Sequence, residues 1–179
     1  MIHSSCSSDP EIRRHSAMTR SAMQSLDRHL WRSRITNKTK LHLYRVFTLP
    51  IGLLLYGSEC WAINKADIQR IDALDQWCLR RVPDTHWHDC VRNADIRRIT
   101  NQPPLSSIIK SCRLTFFGHL ARMDENAGAS QAIFELLPEN WRRSPRQLRT
   151  IWMKNIHDDL SSLDLGIYET RDLAQNRLL

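Results

Sequence analysis

Four features of this chain carry residue types that could do chemistry. "HWHDC" places His86, His88, Asp89 and Cys90 side by side around Trp87. A zinc site takes about four ligands in a tetrahedron, so a further donor such as Cys112 or His119 would have to arrive from elsewhere. Nothing in the spacing demands it. The run reads as a solvated connector anchored by Trp87, and no metal or other cofactor is expected. "NIHDDLSSL" sets Asp158 beside Asp159. Adjacent aspartates hold Mg²⁺ in polymerase chemistry when a hairpin places them between apolar residues with another carboxylate nearby. Here they fall in a helical pattern, where neighbouring side chains diverge by about 100°. They read as a polar helix face, not an active site.

The third stretch, "LLLYGSECWAINKADIQRIDALDQWCLRR", runs from Leu53 to Arg81 and mixes Glu59, Cys60, Asp72 and Asp75 with two tryptophans. Its residues Ile68, Ile71, Leu74, Cys78 and Val82 recur at i, i+3, i+4. That period predicts a helix that buries the stripe and leaves the acids on the wet face. The fourth feature is basic: "RHLWRSRITNKTK" at 28–40 and "WRRSPRQLR" at 141–149. Arginine forks grip phosphates, hydroxyls add hydrogen bonds, and Trp31 or Trp141 could stack on a base. A solvated charged face with Trp31 and Trp141 as core anchors has the same composition, and both readings stay open. The sequence holds no glycine-rich phosphate loop, no H-E-x-x-H and no G-x-S-x-G.

The elements that must position these residues are helices. A chain of 179 residues with 41% hydrophobic and 25% charged residues can bury a real core. Its five Gly and seven Pro are too few for a many-turned β fold. We expect an all-α chain, an irregular array of about six to eight helices joined by short loops. The first starts at Asp9 as N-cap with Pro10 in the first turn, and buries Ile12, Thr19, Ala22, Met23, Leu26 and Leu30. The second begins near Asn37 and meets Pro50, with Gly57-Ser58 closing the run. The third is capped by Asn64 with Asp67 three residues on and stops near Val82, ahead of Pro83. A short helix follows from Asn93 to Ile99, and Pro103-Pro104 breaks the chain. A longer one then runs to about Met123 with Ile108, Ile109, Cys112, Phe116 and Leu120 in register. After a loop and a short element at 132–137, helix resumes near Gln147 with Leu148, Trp152, Ile156 and Leu160. A last helix covers Glu169–Leu178.

The net charge of +7 suits a polyanionic partner, most simply nucleic acid. The surplus is uneven: nine Lys/Arg against three acids in residues 1–50, balance in 51–100, and seven against four in 101–150. Five scattered cysteines, never spaced C-x-x-C, suggest neither a disulfide framework nor a four-Cys zinc site. No apolar signal region follows Met1, and the apolar run Val46–Tyr56 falls short of the roughly 20 residues that a membrane helix needs. The expectation is an intracellular chain, nuclear or cytoplasmic and not secreted, with no membrane partner and no small-molecule substrate.

Several blocks together resemble reverse transcriptases of non-LTR (LINE-type) retrotransposons, downstream of the polymerase core. "NKTKLHLYRVFTLPIGLLLYGSECW" is similar to that family's R-T-K-L, L-Y-R and L-L-Y-G-S-E-x-W pattern. "WHDCVRNADIRRITNQPPLSSIIKSCRLTFFGHLARM" resembles its tail block ending in F-G-H-L-x-R-M. "NWRRSPRQLRTIWMKNIHDDL" resembles its basic turn followed by W-x-x-x-I, and "DPEIRRHSAMTRSAMQSL" the segment after the palm. The likeness covers essentially the whole chain. It departs from the family at Gly52, at "VPDTHWHDC" and at "SPRQLRT", changes that suit a decaying copy.

The resemblance implies a thumb-like basic region at 1–62 and a post-polymerase tail at 63–179, with a basic turn at 141–149. The family's metal-binding aspartates lie upstream of these blocks, so no catalytic residue carries over. A truncated fragment without catalysis of its own is expected. Its partner would be RNA or DNA, template or primer duplex, bound without sequence specificity. By position the contacts fall to Arg13, Arg14, Arg20, Arg32, Arg34, Lys38 and Lys40 in the thumb-like part. Arg142, Arg143, Arg146 and Arg149 supply them in the later turn. The alternative is an inert or protein-docking helical relic.

Overall fold

The computed structural model describes residues 8–48, 55–85, 87–123, 128, 131, 133 and 152–176, and all regular structure among them is helical. The chain is all-α, as its patterning predicts. The short element at 132–137, apart from Ile133, and the segment from Gln147 to Ile151 lie outside the described residues.

Helix α1 spans Asp9–Ser25. Pro10 sits in its first turn, where a missing N–H costs nothing. The cap falls one residue earlier than expected, at Ser8, and the Asp9 carboxylate binds cations instead. Arg13 Nε lies 2.9 Å from it and Arg70 Nη1 2.5 Å. The buried stripe is Ile12, His15, Thr19 and Met23. Leu26, expected inside, is 38% exposed at the end of α1, and the backbone then widens into a π turn at Asp27–Trp31. The Trp31 and Arg32 N–H groups there bond carbonyls five residues back, Leu26 O at 3.3 Å and Asp27 O at 2.9 Å. The wider turn rotates every later side chain off the α-helical stripe.

Helix α2, Asn37–Leu43, is capped by Thr36, whose Oγ1 accepts from Thr39 N at 3.3 Å, and it runs on as a π turn at Tyr44–Thr48. Pro50 and Gly52 fall outside the described residues; Gly57, at φ +71°, makes the left-handed turn that a side chain would strain. Helix α3, Lys65–Arg81, starts with the expected capping box: Asn64 Oδ1 accepts from Asp67 N at 3.0 Å, and Asp67 Oδ2 from Asn64 N at 3.2 Å. It ends ahead of Pro83 in a Schellman motif. Asp84 is left-handed (φ 52°), the Thr85 N–H reaches Arg80 O at 2.9 Å, and the Asp84 N–H reaches Arg81 O at 3.4 Å.

Helix α4 is Asn93–Thr100, closed by left-handed Asn101, and α5 is Leu105–Ala121, beginning just after Pro103-Pro104. The buried residues of α5 are Leu105, Ile109, Arg113, Phe117, Leu120 and Ala121: Ile109 and Leu120 are inside as expected, whereas Ile108, Cys112 and Phe116 are only half-buried beside the stripe. Apolar residues lie on two faces of this helix, so period alone could not choose between them. Helices α6, Trp152–Ser161, and α7, Ile167–Gln175, follow. The last begins two residues before the expected Glu169, which instead sits in the first turn and accepts from Gly166 N at 2.9 Å.

The chain divides into two compact units. The first comprises Ser8–Ser58 and Asn64–Ile109; the second takes Glu59–Ile63 and the chain from Lys110 onward. These units do not follow the expected division at 62/63. In the first, α3 packs on α1 and α4 around Ile12, Met23, Tyr44, Ile71, Leu74 and Ile96. In the second, Phe117, Ile156 and Leu160 form the core, with Leu114, Trp152 and Ile167 packed on it. Glu59–Ile63 joins that unit through two side chains of α6. Trp152 Nε1 donates to Glu59 O at 2.6 Å, and the Asn155 amide bonds both Ile63 N and Ile63 O at 2.9 Å.

Candidate nucleic-acid interface

The expected contact residues that fall among the described ones all belong to the first unit. Arg14, Arg20, Arg34 and Lys38 are exposed. Arg13 and Arg20 are seven residues apart on α1 and so share one side of it. Arg13 and Arg32 are also exposed, each held by an aspartate: Arg13 by Asp9, and Arg32 through Nε to Asp27 Oδ2 at 2.8 Å. Lys40 is a correction. It is 4% exposed, and its ammonium donates to Trp31 O at 2.5 Å. A lysine that closes the carbonyl end of the π turn from inside cannot meet a phosphate. Trp31 is buried at 1% exposure, so it is a core anchor, not a stacking surface. Arg142, Arg143, Arg146 and Arg149, with Trp141, lie outside the described residues.

A recess of about 300 Å³ opens in this unit, lined by Asp27, Arg32, Trp77, Arg80, Arg81 and the Asp84–Thr85 turn. Asp27 is its organising group: besides Arg32 it binds Arg81 Nη1 through Oδ1. The Arg81 guanidinium lies over the Trp77 indole, 4.3 Å from the ring centroid, a cation–π pair across one helical turn. Arg80 points elsewhere, donating to Val91 O at 2.7 Å and Asn93 Oδ1 at 2.9 Å, which anchors the connector after α3. Sequence reasoning treated "WCLRR" as scaffold and missed this site. The signal was Trp77 and Arg81 at i, i+4.

The acids expected on the wet face of α3 are not there. Asp75 is buried at 3% exposure. Tyr44 Oη donates to its Oδ1 at 2.6 Å, and Arg97 Nη2 stands 2.9 Å from its Oδ2. Burial pushes the Asp75 carboxyl above its ordinary value despite both partners. Asp72 is half-buried and accepts from Ser106 N at 3.0 Å and Ser106 Oγ at 2.8 Å, fastening the start of α5. Period alone could not show that polar side chains would supply the buried partners.

The buried Cys78 thiol is not poised for chemistry. Burial, with the nearby Asp75 charge, pushes Cys78 up to about 12, the opposite of an activated cysteine. In the second unit Cys112 lines an open recess of about 510 Å³ with Glu59, Phe116 and His119. Burial and Glu59 raise its thiol as well. Asp158 is exposed, as a polar face predicts, whereas Asp159 turns inward. Its Oδ2 accepts from Arg113 Nε at 2.8 Å and from Arg113 Nη2 at 2.5 Å. That pair places Arg113 in the buried stripe of α5. Among the described residues no three His, Cys, Asp or Glu side chains converge as a metal site; His86 of "HWHDC" is outside them. No helix among them is long and apolar enough to cross a membrane.

Comparison with known proteins adds one relative. The chain is 26% identical, over 132 residues, to an uncharacterized transposon-derived protein of Caenorhabditis elegans. The match covers 71% of this chain and 46% of the relative, so the chain spans about half of that protein's length. No family model matches the chain, and no solved structure matches it.

Proposed function

We propose that this chain is the thumb and post-polymerase part of a non-LTR retrotransposon reverse transcriptase. In this reading it binds RNA or DNA without sequence specificity and has no catalysis of its own. The observation that carries the binding is the set of exposed cations in the first unit, Arg13, Arg14, Arg20, Arg32, Arg34 and Lys38, of which Arg32 lines a recess that also holds the Arg81–Trp77 pair. Similarity to a transposon-derived protein supports the origin. The block resemblance supplies the finer reading of a reverse transcriptase.

Phosphate contacts release counterions, so the binding constant must fall as salt rises, by about 0.7 to 0.9 in log K per contact per log unit of salt. A titration of the whole chain with unrelated RNA and DNA sequences should give similar affinities and a steep salt slope. Absence of binding at low salt would remove the reading and favour the helical relic.

A further inference from the structure

We propose that the recess between the π turn and the C-terminal end of α3 is a single-nucleotide subsite. Arg32 takes a phosphate there, and a base stacks on the Arg81 guanidinium, which Trp77 backs from the other side. The inference rests on the nucleic-acid reading above and narrows it to single strands.

Size is the first argument. About 300 Å³ is at the lower end of the range for small-ligand sites, roughly 300–1,000 Å³, room for one nucleotide and not for a duplex end. Chemistry is the second. A guanidinium is planar and weakly hydrated, and it stacks on π systems. Arg81 already covers the indole at 4.3 Å, and a base laid on its outer side would continue the stack. A base inside a duplex has both faces occupied and cannot do this.

Preorganisation is the third argument. Asp27 holds Arg32 by Nε and Arg81 by Nη1, leaving both Nη atoms of Arg32 to meet a phosphate. Fixing two long side chains beforehand removes an ordering cost that binding would otherwise carry. The π turn makes the arrangement possible, because its wider pitch lets Asp27 and Arg32, five residues apart, approach within ion-pair distance. The end of α3 would by itself repel an anion. Its last carbonyls, at Arg80 and Arg81, are however capped by the Thr85 and Asp84 N–H groups.

The test uses the whole chain with two fluorescent probes at low salt, an oligo-dT single strand and a blunt duplex of equal length. Trp77→Leu should weaken single-strand binding about tenfold, by the size of stacking contributions, and leave duplex binding unchanged. Trp77→Phe should restore most of the loss. Arg32→Gln should lower the single-strand salt slope by about 0.7. Should Trp77→Leu fail to fold, Trp77→Phe and Arg32→Gln decide: single-strand binding kept by the first with a reduced slope in the second supports the subsite, and an unchanged slope overturns it. Equal effects of Trp77→Leu on the two probes, or none on either, overturn it too. Wild-type binding with indifferent variants would end the subsite and leave the nucleic-acid reading standing; no wild-type binding would end both.

Discussion

Two aspartates of the first unit show how burial decides what an ion pair is for. Asp75 draws an arginine from another element, and Asp27 draws one from the end of its own turn. The Asp75 side chain is 4% exposed, and its arginine, Arg97, is 20% exposed and tied also to Pro103 O at 2.9 Å. The Asp27 side chain is 22% exposed, and Arg32 is 64% exposed. Where the carboxylate is out of water, removing its arginine strands a charge in a medium that cannot solvate it, so the pair locks α3 to α4. Where water reaches the pair, the attraction is small and screened, and the guanidinium keeps donors to spare. The same chemistry locks structure in one place and leaves donors open to solvent in the other.

The comparison breaks most readily at its buried side. Arg97→Ala should cost about 3 kcal/mol of unfolding free energy, read by urea denaturation, because it leaves the Asp75 carboxylate with the Tyr44 hydroxyl alone. A loss below about 0.5 kcal/mol, the level of an ordinary surface change, would show that Asp75 is not the lock described here. Lys40→Met comes next. It keeps the apolar stem and removes the ammonium that closes Trp31 O, so we expect a loss of about 1–2 kcal/mol with nucleic-acid affinity unchanged. Weakened binding at unchanged stability would restore Lys40 to the interface.

A third measurement sharpens the contrast through pH. The raised carboxyl of Asp75 means that the folded chain holds a proton over a range where the unfolded chain has lost it. The stability from that proton is complete below the ordinary carboxylate range and is lost as pH rises through the raised value. The stability of the wild type relative to Asp75→Asn should therefore decline as pH climbs out of the acid range. A difference that rises with pH would reverse the assignment. Arg32→Gln should show the smallest stability effect, within about 0.5 kcal/mol, as exposed pairs do.

Much of the fold was legible because it rests on local rules. Pro10, the Asn64–Asp67 box, Pro83 and Pro103-Pro104 act within one turn of themselves, and the helices they bound came out within a few residues. Failures came where the deciding partner is distant in sequence. The buried face of α5 is chosen by Asp159, 46 positions from Arg113. Asp75 is inside because Tyr44 and Arg97 meet it there. The π turn at Asp27–Trp31 carries no apolar signature, yet it brings Arg32 back to Asp27. Of the site, the exposed arginines could be read from charge alone, whereas Lys40 could not, since charge patterning has no means of seeing a carbonyl waiting inside. Trp77 with Arg81 was readable as an i, i+4 pair but was absorbed into the apolar stripe beside it.

The claim that the first unit meets nucleic acid through its exposed arginines is tested most directly by reversing two of them. Arg32→Glu with Arg34→Glu, in the whole chain, should lower the salt slope of log K by about 1.5, two phosphate contacts' worth, while the unfolding free energy stays within about 1 kcal/mol of wild type. An unchanged slope and affinity in a folded double variant would contradict the account.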